Sequence, residues 1–275
     1  MKRLTGFLLG GCLLFGGLST MLAQDAVMQP PKVLQIIREF VKPGKSGSLH
    51  EATESGFVKA FQAAKWPTHY LAADSMTGVS RSLFFVGYDS FDAWEKDSLA
   101  GQQNRTLSAA LDRAAIADGD LLESTESSVF VYREDYSLRA PVNIAQMRYF
   151  EIQRYKIRPG HEKDWETLVK MYVTGYEKTV PTAHWTTYES MYGANNGGVY
   201  IVVTPMKSIA EVDQNLADSK KFMAAMGEDW MKKVEELAAA CLESSQTNLF
   251  MFNPKISYVS DDWIKVDPSF WKPKQ

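Results

Sequence analysis

Two histidine–aromatic pairs, His69-Tyr70 and His184-Trp185, are the residues best suited to chemistry, because a neutral imidazole serves as a general base or a metal ligand. Each histidine is followed five residues later by an acid, Asp74 and Glu189, and carboxylates set across a pseudo-dyad do general acid and base work. Arg38 and Arg154 sit between apolar residues, and two guanidiniums facing one cavity clamp an anionic or enol-type ligand. Tyr70, Trp185 and Tyr155 complete the candidate ligand-binding set. His69, His184, Asp74 and Glu189 are the candidate catalytic set.

Each of these residues also has a structural reading. Neither histidine has an HxH, HExxH or Cys partner in its stretch, so no metal set is read from the sequence and no cofactor is indicated. Strand alternation turns Asp74 and Glu189 away from the face of the histidines, which disfavours a His–carboxylate dyad within one half. The arginines could equally pair with Glu39, Glu151, Asp74 or Glu189. Trp66, Tyr155, Trp165, Tyr172, Tyr176 and Trp185 either line an apolar pocket or fill the core. Cys241, in a helical Ala-Ala-Ala-Cys-Leu run, reads as a small buried apolar residue.

The elements that position these residues occur twice. Pro43-Gly44 answers Pro159-Gly160 at an offset of 159 − 43 = 116, and the same offset takes Ile36 to Ile152, Arg38 to Arg154 and Leu49 to Trp165. Farther along, the histidines, the apolar strands LFFV and VYIVV, and the closing strands near Phe130 and Phe250 also correspond. Each copy reads strand, helix, strand, strand, helix, strand. Pro-Gly ends the first strand, since proline cannot donate to a ladder and glycine permits the turn. Trp165, Leu168, Val169, Tyr172 and Tyr176 recur at helical spacing, and Ala-Asn-Asn-Gly-Gly at 194–198 marks a hairpin. The later helical region breaks near Gly227, with Ser208 and Glu211 as a capping box.

This order predicts an α+β fold of two tandem ferredoxin-like (βαββαβ) units, packed through their open sheet faces as an internal pseudo-dimer. On the passages FVKPGKSGSL and YKIRPGHEKDW, the His–aromatic pairs and the apolar third strands, the chain resembles the dimeric α/β-barrel superfamily. That superfamily includes antibiotic-biosynthesis-type monooxygenases and NIPSNAP-like proteins. The resemblance implies a ligand site in the barrel lumen or in a cleft between sheet and helices. The superfamily's haem-degrading branch carries its haem-ligating histidine on a late helix, whereas His50, His69, His161 and His184 all lie outside the late helical regions.

The chain has 275 residues, 45% of them hydrophobic and 23% charged, which excludes disordered and fibrous classes. Met1 to Ala23 reads as a secretory signal, with Lys2 and Arg3 ahead of an apolar stretch too short to span a membrane. Cys12 after Leu-Gly-Gly is a loose lipobox, leaving lipoprotein anchoring as a minor alternative. Removal of Lys2 and Arg3 takes the formal charge from -3 to -5 without leaving a basic cluster, which argues against nucleic acid as a partner. Residues 24–32 read as a leader, 33–140 and 141–258 as the two repeats, and 259–275 as an aromatic C-terminal strap over one sheet.

Three functions follow as alternatives. The leading one is an exported protein, secreted or periplasmic, that binds a small, mostly apolar molecule in the lumen or cleft. The second, implied by the resemblance, is a cofactor-independent monooxygenase-like enzyme. The third is a non-catalytic envelope protein that captures a partner through its aromatic tail. The internal pair makes a monomer self-sufficient, and further oligomerisation is left open.

Overall fold

The first strand, β1 (Val33–Val41), alternates apolar residues on one face and ends at Pro43-Gly44, where Gly44 takes a φ of 78° that a side chain would strain. The matching strand β5 (Tyr149–Ile157) ends at Gly160 with a φ of 87°. In the computed structural model, which describes residues 28–193 and 197–272, these two strands organise a closed barrel. The expected signal sequence, Cys12, the start of the leader, residues 194–196 of the hairpin and the last three residues lie outside the described part.

The remaining barrel strands are β2 (Tyr70–Ser75), β3 (Arg81–Tyr88), β4 (Leu122–Tyr132), β6 (Thr186–Tyr192), β7 (Val199–Met206) and β8 (Leu242–Phe252). Around the barrel they run β1-β3-β2-β8-β5-β7-β6-β4, antiparallel throughout. Short ladders join the halves, Ala73 opposite Phe252 between β2 and β8 and Val131 opposite Glu189 between β4 and β6. Closure removes the free edges that an open sheet would present.

Helices α1 (Ser48–Ala64), α2 (Phe91–Gln103) and α3 (Arg105–Gly119) cover the outside of the first half, and α4 (Glu162–Thr179), α5 (Glu211–Met226) and α6 (Glu228–Cys241) that of the second. Asn104 caps α3 through its side chain, which accepts from the Leu107 amide, whereas Gly227 at φ 79° separates α5 from α6. On α4, Trp165, Leu168 and Val169 are buried at helical spacing and pack with Val234 and Leu237 of α6 against Ile157 and Tyr200 of the sheet. Cys241 is fully buried in that cluster, and burial pushes its thiol up. No helix of the described residues is long and apolar enough to cross a membrane.

The barrel interior is a packed core that opens into a cavity at one end. Leu34, Ile36, Phe85, Phe130, Phe150, Ile152, Phe250 and Phe252 fill it, as expected for eight strands. The C-terminal segment does not cross a sheet face. Its short helices α7 (Asp261–Val266) and α8 (Pro268–Trp271) close the end of the barrel, where Trp271, 4% exposed, donates its indole N–H to the Ala145 carbonyl at 2.7 Å. Arg148 pairs with Asp267 and lies 3.9 Å from the Phe270 ring centre. The tail aromatics are turned inward because the lumen end is the apolar surface within their reach.

Candidate binding cleft

Among the described residues, three cavities hold candidate residues. At the barrel end, about 480 Å³ lies between Met28–Pro31, His69, Tyr88, Tyr188 and Trp263. In the lumen, a pocket of about 50 Å³ holds Arg38, Arg154 and Arg81. Between the outer face of β5–β7–β6 and helices α4, α5 and α6 lies a cleft of about 410 Å³.

The cleft is built by alternation and helical spacing together. Tyr155, Val202 and Thr204 point outward from the sheet, Trp165, Tyr172 and Tyr176 point down from α4, and Trp185 comes from the segment before β6. Their rings meet in two groups, Tyr155 against Trp165 at 5.1 Å, and Tyr176 against Trp185 at 5.5 Å, edge to face. Polar groups are few and set at the margins, Glu151 and Gln153 on β5 and Asn215 and Asp218 on α5. The Tyr155 hydroxyl donates to Gln153 at 2.6 Å, and burial, reinforced by Tyr172 and Glu151, pushes its pKa up to about 12. That phenol stays neutral. The indole N–H of Trp165 is buried with no acceptor, an unmet donor in an apolar wall.

His184 also lines the cleft, with Nε2 2.9 Å from the Pro205 carbonyl and Nδ1 3.1 Å from the Thr182 carbonyl. A neutral ring donates to one of these two backbone oxygens, an anchoring arrangement for the chain entering β6. Its sequence counterpart His69 stands elsewhere, at the barrel end, stacked on Tyr258 at 4.7 Å, with its pKa lowered by burial. Pro67 and Pro181 stand three and five residues ahead of their strands, so both histidines precede the ladders.

The other candidates are dispersed. Arg38 and Arg154 meet in the lumen pocket, joined by Arg81, which the sequence reading did not single out. None of the four acids considered as partners reaches Arg38: Glu39 follows it on β1 and points out of the barrel, and Arg38 instead donates to Ser128 Oγ at 2.9 Å. Burial lowers the Arg38 pKa, Glu126 opposes that, and Arg154 and Arg81 add to it. A pocket of that size holds an ion or a water or two, not an apolar ligand. Glu189 accepts from Arg133 at 2.5 Å and from the Tyr200 hydroxyl at 3.0 Å. Asp74 accepts from Ser82 of the first half and, at 2.7 Å, from Asn253, just after β8. Asp74 and Glu189 therefore do not meet across the pseudo-dyad.

Tyr70, on the outer face of β2, leads to a charged cluster in the layer between the first-half sheet and its helices. Glu39, His50, Glu54 and Asp118 each bring one donor atom within 4.8 Å of the others. Burial pushes Glu54 up to about 10, with Glu39 and Asp118 adding to it, and burial likewise raises the Tyr70 hydroxyl. For His50 burial acts the other way, but the hydrogen bond to Glu39 and the charge of Asp118 outweigh it and raise the pKa. Only the i, i+4 spacing of His50 and Glu54 on α1 hints at this cluster in the sequence.

No family model matches the chain, and no curated protein matches it by sequence. Solved structures share its fold at low identity. A proposed monooxygenase from Fusobacterium nucleatum subsp. nucleatum superposes with a TM-score of 0.52 at 13% identity, covering 82% of this chain and 94% of that one. An anthrone oxidase-like protein gives 0.52 at 12%, covering 81% and 92%. A proposed monooxygenase from Lactobacillus acidophilus NCFM gives 0.49 at 8%, covering 82% and 94%. At these identities the likeness is one of fold.

Proposed function

We propose that this is an exported protein of two tandem βαββαβ units whose second half binds a small, flat, mostly apolar molecule carrying a hydrogen-bond acceptor. The observation that carries the reading is the aromatic cleft under α4 and α5, of a volume usual for small-molecule sites. The rings supply apolar contact at little conformational cost, and the marginal Gln153, Asn215 and Asp218 supply orientation. The barrel-end cavity, lined in part by the lumen residues Leu34, Phe85 and Phe150, is the alternative place for such a ligand.

Isothermal titration with a panel of polycyclic phenols and quinols tests this. Thr204→Phe fills the cleft from the sheet side without removing an existing hydrogen bond of the fold. It should abolish the saturable binding seen in the wild type while leaving thermal unfolding within a few degrees. Equal binding by both proteins would move the site out of the cleft.

Cofactor-independent oxidation of such a ligand is the second reading, supported by the fold shared with a proposed monooxygenase and an anthrone oxidase-like protein. Oxygen consumption with a quinol, lost in Thr204→Phe, would favour it. Uniform inactivity alongside intact binding leaves the binding reading alone.

A further inference from the structure

We propose that Glu39, His50, Glu54 and Asp118 form a site for one divalent transition-metal cation, held between β1 and helices α1 and α3 of the first half. The site lies in a different layer from the aromatic cleft and does not depend on what the cleft binds.

The donors come from three elements that share no local sequence motif, and they converge. His50 Nε2 is 3.3 Å from Glu39 Oε2 and 3.5 Å from Asp118 Oδ1. Donors about 2.1 Å from a metal at tetrahedral angles stand about 3.4 Å apart, so these separations already match one cation's coordination shell. Glu54 completes the set from one turn along α1.

Two buried carboxylate oxygens, Glu54 Oε1 and Asp118 Oδ2 on residues 3% and 1% exposed, receive no N–H or hydroxyl donor, and only a proton shared among the Glu54, Asp118 and Glu39 carboxyls meets them. Buried carboxylate oxygens are normally satisfied, and these two belong to the same cluster.

The ring of His50 makes the same point. Its Nδ1 lies 3.5 Å from Ser82 Oγ, and Ser82 donates its own proton to Asp74, so Ser82 can receive an Nδ1–H through its remaining lone pair. Nε2 faces both Glu39 and Asp118, and in the metal-free protein its N–H donates to Glu39 at 3.3 Å. Exchange of that proton for a cation leaves Nδ1–H on Ser82 and turns the Nε2 lone pair to the metal. An imidazole held from behind through a hydroxyl–carboxylate relay is the usual support of a metal ligand.

Three carboxylate groups with one imidazole suit a cation that accepts both oxygen and nitrogen, Mn(II), Fe(II) or Zn(II), rather than Cu(I) or a thiolate-bound metal. Thr53 Oγ1 donates to Asp118 Oδ1 at 2.6 Å and fixes that carboxylate. Glu39, 12% exposed at its side chain, leaves the way in. A bound divalent cation would offset two of the three carboxylate charges and tie α1 and α3 to β1.

The test uses the full chain, purified without chelator or polyhistidine tag. It is analysed for metal, stripped with EDTA and titrated separately with Zn(II) and Mn(II). The expected result is one saturable equivalent per chain, an oxygen-rich X-ray absorption signature containing one nitrogen neighbour, and a rise in melting temperature on metal addition. Isosteric Glu54→Gln should weaken binding on the order of a hundredfold, and Glu51→Gln, a carboxylate outside the donor set, should not. If Glu54→Gln fails to fold, Asp118→Asn is read in its place. The absence of a saturable equivalent in the wild type, or equal affinity in wild type and Glu54→Gln, overturns the proposal.

Discussion

Helix α5 is held to the protein chiefly by one ring, with side-chain hydrogen bonds of Asp218 to Thr182 and of Ser219 to Tyr176 beside it. Of its sixteen residues only Asp218 and Phe222 are buried, and Phe222, 1% exposed, stacks on Tyr176 at 4.2 Å and meets Trp230 edge to face at 5.1 Å. Because α5 also supplies the cleft margin through Asn215 and Asp218, its attachment sets how often the cleft stands open. Truncating a fully buried phenylalanine costs about 3–5 kcal/mol. At about 1.4 kcal/mol per tenfold, a cost near 4 kcal/mol that falls on α5 alone multiplies its open population by roughly a thousand. Hydrogen exchange read by mass spectrometry on Phe222→Ala should show that loss of protection at residues 211–226, with β5 and β8 nearly unchanged. Ligand binding in the cleft should weaken in parallel. Uniform loss of protection across strands and helices, or no change in α5, would refute the view of α5 as a separately anchored flap.

Gly175→Ala tests the same contact from the other side: its new Cβ would stand 2.6 Å from Phe222 Cε2, and a ring wedged between Tyr176 and Trp230 has little room to move, so a loss of about 1–3 kcal/mol is expected in urea unfolding. In metal-free protein Glu54 titrates at about 10 folded against 4.5 unfolded, so the folded state holds the extra proton and stability falls as pH rises through that window, by at most roughly 1.4 kcal/mol per pH unit. The raised pKa of His50 acts in the same direction, and Glu54→Gln should flatten the measured slope between pH 5 and 8. Trp271→Ala should cost about 3–5 kcal/mol in the same unfolding assay, because it uncovers the lumen end, whereas an intact fold after tail deletion would favour the partner-capture alternative.

The fold was legible where periodicity and turn chemistry are local. Pro43-Gly44 and Pro159-Gly160 close their strands with glycines at positive φ, the α4 stripe buries Trp165 and Leu168, and Gly227 breaks the late helix as its conformational freedom suggests. The site was legible only in part, because convergence is set by the barrel rather than by spacing. His69 and His184 correspond in sequence yet reach different cavities, one at the barrel end and one in the cleft. Glu39 was weighed as a partner for Arg38, and the two-residue pleat sends it instead to the helix side, where it joins His50, Glu54 and Asp118. Donors drawn from positions 39, 50, 54 and 118 leave no motif to read.

The central claim is that ligand enters the second-half cleft, and the chain's 7 tryptophans report it through their indole N–H signals. In a ¹H–¹⁵N spectrum of the full chain titrated with a binding phenol, the Trp165 and Trp185 indole resonances should shift together to saturation. Trp263, at the barrel-end cavity, and Trp271, bonded to Ala145, should stay in place. Saturable shifts confined to Trp263 and Trp271 would put the ligand at the barrel end and contradict the account.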